Sequence, residues 1–316
     1  MAVIQNMSFG DADIAMYGTY LKGELERLDQ YNYDPIDDFT WSRDISLRED
    51  VAVSDEWTSF IINKFFEGFN GTGSGKKSWI TDMTTTPAQV TVSSQKVVQP
   101  MTLWGNQVQY SIFELQKSYA AGKPIDELKH NALRTKLQLD IDVQVYMGDE
   151  EVGVSGLLNN PNIETTNVGA WTDVTTPKQV LDFFSHLLNE AWKRTEFTRV
   201  PDTLLVPPLV FAMLNSTQLP NTESNLLEYV KSKSLTNSLG KQLKIQPVKW
   251  LHPGHGIANP RIVAYTNAKD VVRFPLVQIQ QLPVQYQNFN LCVNYYGALG
   301  AVEFVRPEMV MYAELV

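Results

Sequence analysis

Apolar residues recur at helical spacing most clearly between Pro124 and Gly148. They form two adjacent stripes, which predict a helix of about 23 residues, roughly 35 Å long. Pro124 suits the first helical position, and Gly148 suits the C-terminal stop. Because the two stripes cover a wide face, we expect this helix to pack on two sides.

Two other helices have clear start signals. Ser111 and Glu114 form a capping box and predict a short helix that ends before Gly122. Thr176 followed by proline opens an amphipathic helix that runs to Arg194. Shorter helices are predicted near residues 210–214 and 226–232.

Strands are predicted where apolar residues alternate with polar ones or form short runs. These segments are residues 204–208, 261–266, 271–274, 291–296 and 301–305. They are interspersed with the helices without the regular spacing of βαβ units. The pattern therefore predicts an α+β fold rather than a doubly wound sheet.

Residues 54–100 form a long and largely polar excursion. Residues 54–69 fit either a helix or a strand, and the pattern leaves both open. A glycine-rich stretch follows, and residues 91–98 are rich in β-forming types. We interpret the region as a long β-hairpin with a flexible tip. Such an excursion is unusual in a compact domain unless it is functional or reaches a neighbour.

The first fifty residues lack a sustained apolar period. Between Asp29 and Asp44, four aromatic residues lie among acidic ones: Tyr31, Tyr33, Phe39 and Trp41. Scattered aromatics in an extended arm favour docking onto another surface. The alternative is a terminus that packs on its own domain.

Composition and charge narrow the function classes. The net charge is -9, and no run of lysine and arginine exceeds two residues. Sequence-specific nucleic-acid binding is therefore not expected. The single cysteine, Cys292, excludes an intrachain disulfide and fits a reducing cytoplasm. No apolar run is long enough for a membrane span and no signal peptide is recognisable, so we expect a soluble, non-exported protein.

Three segments invite a chemical interpretation. The stretch around Gly75 and Lys76 resembles a phosphate loop, but Asn70 replaces the first glycine and Lys77 the magnesium-binding hydroxyl residue. A hairpin tip explains it better.

His252 and His255 flank a Pro-Gly turn without a complete set of zinc ligands. Cys292 lies in an apolar strand, which is typical of a buried small residue. The sequence predicts no catalytic residue, cofactor or metal.

The order of the segments resembles one known family, the tailed-phage coat proteins with the Hong Kong 97-type fold. The resemblance covers about residue 51 to the end. It rests on the shared order of these motifs: residues 109–116, 121–124, 156–161, Trp171, 176–177, 201–208, 263–265, 282–285 and 306–307.

The resemblance implies a division into domains. Residues 1–50 would be an N-arm and residues 51–105 an E-loop hairpin. Residues 106–154 and 276–316 would form a P-domain with a long spine helix. Residues 155–275 would form an A-domain.

The resemblance also implies a function without catalysis. The chain would be a major capsid protein that self-assembles, as hexamers and pentamers, into an icosahedral shell around double-stranded DNA. It would assemble in the host cytoplasm and reside in the virion, without a membrane. The N-arm aromatics would contact neighbouring subunits, as would these tip residues: Gly71, Gly73, Gly75, Lys76 and Lys77.

The resemblance also implies further partner proteins, and two alternative functions stay open. Separate scaffolding, portal and decoration proteins are possible partners, since Met1 leads almost directly into the arm. Covalent crosslinking through the tip lysines is not expected. An encapsulin-like compartment around a cargo enzyme is the alternative within this fold. An α+β hydrolase is the alternative from another class, and it would need a pocket with converging polar groups.

Overall fold

The computed structural model describes residues 38–68, 89–121, 125–167, 176–218, 224–255, 257 and 259–315. The chain divides into two compact units, residues 1–38 and 39–316. The described residues lie almost entirely in the second unit.

The described helices and strands are numbered separately in chain order. The helices are α1 (Trp41–Asp44), α2 (Ile112–Ala121), α3 (Ile125–Tyr146), α4 (Pro177–Arg194), α5 (Pro208–Ser216), α6 (Leu226–Lys233) and α7 (Leu235–Ser238), with short 3-10 turns at Lys249–Leu251 and Pro307–Met309. The strands are β1 (Ser46–Arg48), β2 (Trp57–Gly68), β3 (Gln89–Ser111), β4 (Gly148–Asp149), β5 (Val154–Ser155), β6 (Thr165–Asn167), β7 (Thr203–Val206), β8 (Lys244–Pro247), β9 (Arg261–Tyr265), β10 (Val272–Gln281), β11 (Gln285–Gln287), β12 (Asn290–Gly300), β13 (Glu303–Phe304) and β14 (Val310–Glu314).

A seven-stranded sheet is organised around the long strand β3. Its order is β1-β10-β12-β3-β2, with β11 on β12 and β13 on β10. The first half of β3 pairs antiparallel with β2, from Gly68 opposite Gln89 to Trp57 opposite Pro100. The second half pairs antiparallel with β12. One strand of 23 residues therefore belongs to both the hairpin and the body of the sheet.

A five-stranded sheet of order β6-β14-β9-β7-β8 is buried on both faces. Successive residues of a strand point to opposite faces. In β9, Ile262 and Ala264 join one apolar cluster, while Val263 and Tyr265 join the other. The first cluster includes the buried side of α4, and the second includes α3. This double burial explains the continuous apolar runs in β7, β9 and β14.

The predicted helix of residues 124–147 is confirmed as α3, but its packing differs from the expectation. One stripe is buried and comprises Leu133, Leu137, Ile141 and Val145. In the other stripe Ala132 and Val143 are exposed. Tyr146 of the same stripe is fully buried, and α3 bonds β3 through Asp140 and α1 through Gln138. The expected packing on two sides is therefore only partial, because no described element covers Val143.

The remaining helices and strands largely confirm the predicted pattern. Helix α4 has the predicted bounds, and its capping box is formed, since the Thr176 amide donates to Gln179 Oε1 at 2.9 Å. Of the ambiguous residues 54–69, Trp57–Gly68 form strand β2. Gly148 ends α3 with φ 74°, a conformation that favours glycine. Strand β14 falls in the predicted P-domain range, yet it pairs with β9 from the predicted A-domain range.

Candidate assembly surfaces

The hairpin of β2 and β3 presents several apolar side chains to solvent on one face. Directly opposed residues of an antiparallel pair lie on the same face, and so do alternate residues of each strand. Trp57 and Ile61 of β2 therefore share a face with Val98 and Val92 of β3. All four are exposed, Trp57 by 61% and Ile61 by 62%. We call these four residues the outer face of the hairpin.

The opposite face of the hairpin is anchored at its root. Thr58 and Phe60 are buried, and the Arg273 guanidinium lies 5.9 Å from the centre of the Phe60 ring. Arg48 donates to the carbonyl oxygen of Ser59 at 3.3 Å. These contacts place the outer face away from the protein body.

A buried carboxylate strengthens this root. Glu303 is fully buried, and its two oxygens accept from Arg48 Nη1 at 2.8 Å and Arg273 Nε at 2.6 Å. A buried charge is costly unless it is paired and hydrogen-bonded, and here both oxygens are paired. Arg48 also hydrogen-bonds Asp50, which lowers the pKa of that carboxyl below its usual value. The four charges tie β1, β10 and β13 together beneath the hairpin.

A second apolar surface lies at the far end of β3. The Ile112 amide donates to the carbonyl oxygen of Phe289 at 3.0 Å, which places the start of α2 beside the β11–β12 turn. The rings of Phe113 and Phe289 lie 6.1 Å apart between centres. Both side chains are exposed, as is Tyr286. No periodic pattern in the sequence marks this group, because its members come from separate elements.

The residues predicted to contact neighbouring subunits differ in where the structure places them. The tip residues Gly71, Gly73, Gly75, Lys76 and Lys77, and the arm residues Tyr31 and Tyr33, lie outside the described residues. Phe39 is exposed. Trp41 is only 5% exposed and packs within its own chain, where its indole donates to Gln138 Oε1 at 2.9 Å. Its contact with a neighbouring subunit stays a prediction.

The root of the arm is held by a buried polar cluster. Arg43 donates twice to the Asp44 carboxylate, at 2.7 and 2.9 Å, and Tyr146 donates to the same group at 2.5 Å. The Tyr265 hydroxyl donates to the carbonyl oxygen of Asp44. Burial, and then the charge of Asp44, raise the pKa of Tyr146 and of Tyr265. The cluster joins α1 to α3 and to the five-stranded sheet.

The chemical features of the described residues are sparse. The rings of His252 and His255 lie 6.0 Å apart between centres, and the described part of the chain holds no group of three potential metal ligands. An open cavity of about 600 Å³ between α6, α7 and β8 is lined by Glu228, Lys231 and Lys244 among others, but by no histidine or cysteine. None of the described helices is long and apolar enough to cross a membrane. Cys292 is buried in β12, as predicted.

Comparisons with known proteins agree with this architecture. A family model described as "Major capsid protein" matches residues 75–316. The capsid of Myoviridae phage XM1 superposes with a TM-score of 0.75 at 14% identity, covering 93% of this chain and 98% of that chain. The capsid of a native GTA particle computed with C5 symmetry gives 0.62 at 11% identity, covering 98% and 100%. A virus-like particle from Pyrococcus furiosus gives 0.50 at 14% identity, covering 86% and 91%. No curated protein sequence matches this chain significantly.

Proposed function

This chain belongs to the major capsid protein family and is a shell-forming coat protein of the Hong Kong 97-type fold, and we propose that its hairpin and arm join neighbouring subunits. It is a phage structural protein that resides in the virion. The match to the capsid family favours this function over an encapsulin-like compartment.

We further propose hexamers and pentamers as the building blocks of the shell around double-stranded DNA. A net charge of -9 supports a wall that encloses DNA without gripping it, because tight DNA binding needs many cationic contacts. The chain's family is one of structural proteins, and we propose that the shell subunit carries no catalysis. Scaffolding, portal and decoration proteins would be separate partners.

The predicted domains are retained with one adjustment. We propose residues 1–50 as N-arm, 51–105 as E-loop, 106–154 as the first P-domain part and 155–275 as A-domain. Residues 276–316 were predicted to complete the P-domain. The pairing of β14 with β9 supports counting Val310–Glu314 with the A-domain sheet instead.

The outer face of the hairpin is the observation that carries the proposal. Large apolar side chains exposed together on one face commonly mark an interaction site, and here they are interspersed with Asn63, Ser94 and Lys96. Burying the exposed parts of four such side chains adds contact area without enlarging the core. Standard interfaces bury about 1,200–2,000 Å² in total, so this face would be one contact among several.

The outer face can be tested without disturbing the core. We expect Trp57→Ser with Ile61→Ser to lower the assembled fraction at least tenfold, while the subunit keeps its fold. The matched control is Lys64→Ser with Gln95→Ser, because both are exposed on the opposite face of the same strands. Sedimentation and electron microscopy measure assembly, and circular dichroism measures folding. Normal shells from the Trp57 and Ile61 variant would contradict the role of this face.

A further inference from the structure

Asp142, in the middle of α3, is bonded from two directions. Its Oδ1 accepts the backbone N–H groups of Thr40 at 2.9 Å and Trp41 at 3.1 Å. Its Oδ2 accepts the indole N–H of Trp250 at 2.7 Å, and Lys249 Nζ lies 3.5 Å away. The side chain of Asp142 is fully buried. One carboxylate thus links the arm root to the 3-10 turn Lys249–Leu251.

The arm-side bonds replace a local helix cap. The first amides of a helix have no partner within it, and a side chain at the N-cap usually accepts from them. Thr40 is the N-cap of α1, and its side chain makes no capping hydrogen bond. Asp142 accepts from these amides instead, across about a hundred positions of sequence. The short helix α1 therefore depends on α3 for its start.

The bonds from the turn compensate the buried negative charge of Asp142. An isolated buried carboxylate is strongly unfavourable, and it is tolerated only when charges and hydrogen bonds compensate it. Lys249 supplies the charge and Trp250 supplies the donor on the second oxygen. If either side is lost, the other side faces an incompletely paired carboxylate. The two sides are therefore energetically coupled.

We propose that Asp142 is a positioning residue for assembly, which fixes where the arm joins the body and couples that point to the Lys249–Leu251 turn. This inference rests on the proposed function of the arm. Gln138 and Tyr146 lie one turn before and one turn after Asp142 on α3, and both also bond the arm root. Asp142 differs from them because, among the described bonds of the three, only its own also reach the turn.

The test removes the hydrogen bond from the turn to Asp142 and measures hydrogen exchange at the root of the arm. Trp250→Phe deletes the indole donor and removes no described hydrogen bond of the arm. We expect hydrogen exchange in a peptide that covers Thr40 and Trp41 to accelerate at least fivefold in the full-length, unassembled subunit. Asp142→Asn keeps an oxygen for the arm but turns an amide N–H₂ towards Trp250 and Lys249. It should also accelerate the exchange at Thr40 and Trp41. The acceleration in the double variant, Trp250→Phe with Asp142→Asn, should be smaller than the product of the accelerations in the two single variants, because both remove the same link.

A matched control lies on the same helix. The Trp104 indole donates to Asp140 Oδ2 at 2.9 Å, two positions from Asp142, but Asp140 makes no described bond to the arm. Trp104→Phe should leave the exchange of Thr40 and Trp41 unchanged. In assembled material, Trp250→Phe should yield fewer closed shells or a wider range of diameters than Trp104→Phe.

Two outcomes would overturn the inference. One is unchanged exchange at Thr40 and Trp41 in Trp250→Phe, even if the free energy of unfolding falls. The other is equal acceleration in Trp104→Phe, which would indicate general loosening of α3. If Asp142→Asn does not fold, Trp250→Phe still decides. Failure of the wild-type chain to form particles would instead refute the proposed function, because exchange is measured before assembly.

Discussion

At the scale of residues, three fully buried carboxylates organise the described chain: Asp44, Asp142 and Glu303. Each accepts at least two hydrogen bonds, several of them from arginine side chains or backbone amides. In the sequence, Glu303 and Asp142 are visible as acids inside apolar segments, whereas Asp44 lies in the polar arm and carries no such signal. That signal marks burial but does not identify the partners, since these come from distant positions.

Three buried tyrosines predict sensitivity to alkali. Burial is the largest cause that raises the pKa of Tyr146, Tyr265 and Tyr312 above the ordinary value of 10.0. Above pH 10 the unfolded chain ionises these groups while the native chain keeps them protonated. Their contribution to stability is therefore complete below pH 10 and is lost as pH rises beyond it, by about 1.4 kcal/mol per tyrosine and pH unit.

Denaturant unfolding between pH 9 and 11 checks this expectation. Tyr312→Phe should reduce the alkaline slope by about one third of the combined effect of the three groups. Tyr286→Phe is the control, because that side chain is 79% exposed. An unchanged slope in Tyr312→Phe would contradict the assignment.

A strained helix end predicts a stabilising substitution. The amides of Glu196 and Phe197 donate to the carbonyl oxygens of Lys193 and Trp192, which closes the end of α4. Both residues have positive φ, 50° and 63°, which is unfavourable for a side chain with a Cβ. Glu196→Gly should raise the free energy of unfolding by about 0.5–1 kcal/mol. Asn288→Gly, with φ 54°, should gain less because asparagine tolerates this conformation.

At the scale of elements, the sequence predicted α4 well because its capping box and apolar side are local. Strand β2 could not be distinguished from a helix, for a physical reason. Its outer face carries Trp57 and Ile61 while Phe60 lies on the buried face, so the alternation that marks a half-buried strand is absent. Trp57 and Ile61 also stand four positions apart, as on a helix. The residues that obscured the prediction are the ones we propose for assembly.

The tight connection after α3 predicts a large difference between two glycines. A Cβ on Gly156 would lie 2.4 Å from the backbone of Tyr146, whereas one on Gly153 would meet nothing within 4 Å. Gly156→Ala should lower the free energy of unfolding by about 3 kcal/mol or more, as expected of severe overpacking. Gly153→Ala should lower the free energy of unfolding by only about 1 kcal/mol, because its one cost is the strain of a side chain at φ 71°. Thermal unfolding of both variants measures the contrast, and similar losses would contradict it.

At the scale of the whole molecule, the predicted α+β class and the Hong Kong 97-type fold are confirmed. The pairing of β14 with β9 was not predictable, because strands far apart in sequence carry no local mark of their partner. The same holds for the surface of Phe113 and Phe289. Trp41 shows what composition alone does not reveal: its contact with a neighbour stays a prediction, whereas its burial against α3 of its own chain carried no local signal.

Deletion of residues 71–77 tests the hairpin tip at this scale. We expect shells to be lost or reduced at least tenfold, while the subunit stays folded, because β2 and β3 pair along twelve positions independently of the deleted residues. Electron microscopy and denaturant unfolding measure the two quantities. Shells in normal number would contradict a role of Lys76, Lys77 and the neighbouring glycines in subunit contact.

Cys292 has a practical consequence for mapping these contacts. It is the only cysteine of the chain and is 2% exposed within β12. A buried thiol in an apolar strand reacts slowly with alkylating reagents. A cysteine introduced at Lys64 or Gln95, the exposed control positions of the hairpin, would therefore be the single accessible thiol. Spin labels or bifunctional maleimides attached there could measure distances between copies in intact particles without first removing a native cysteine.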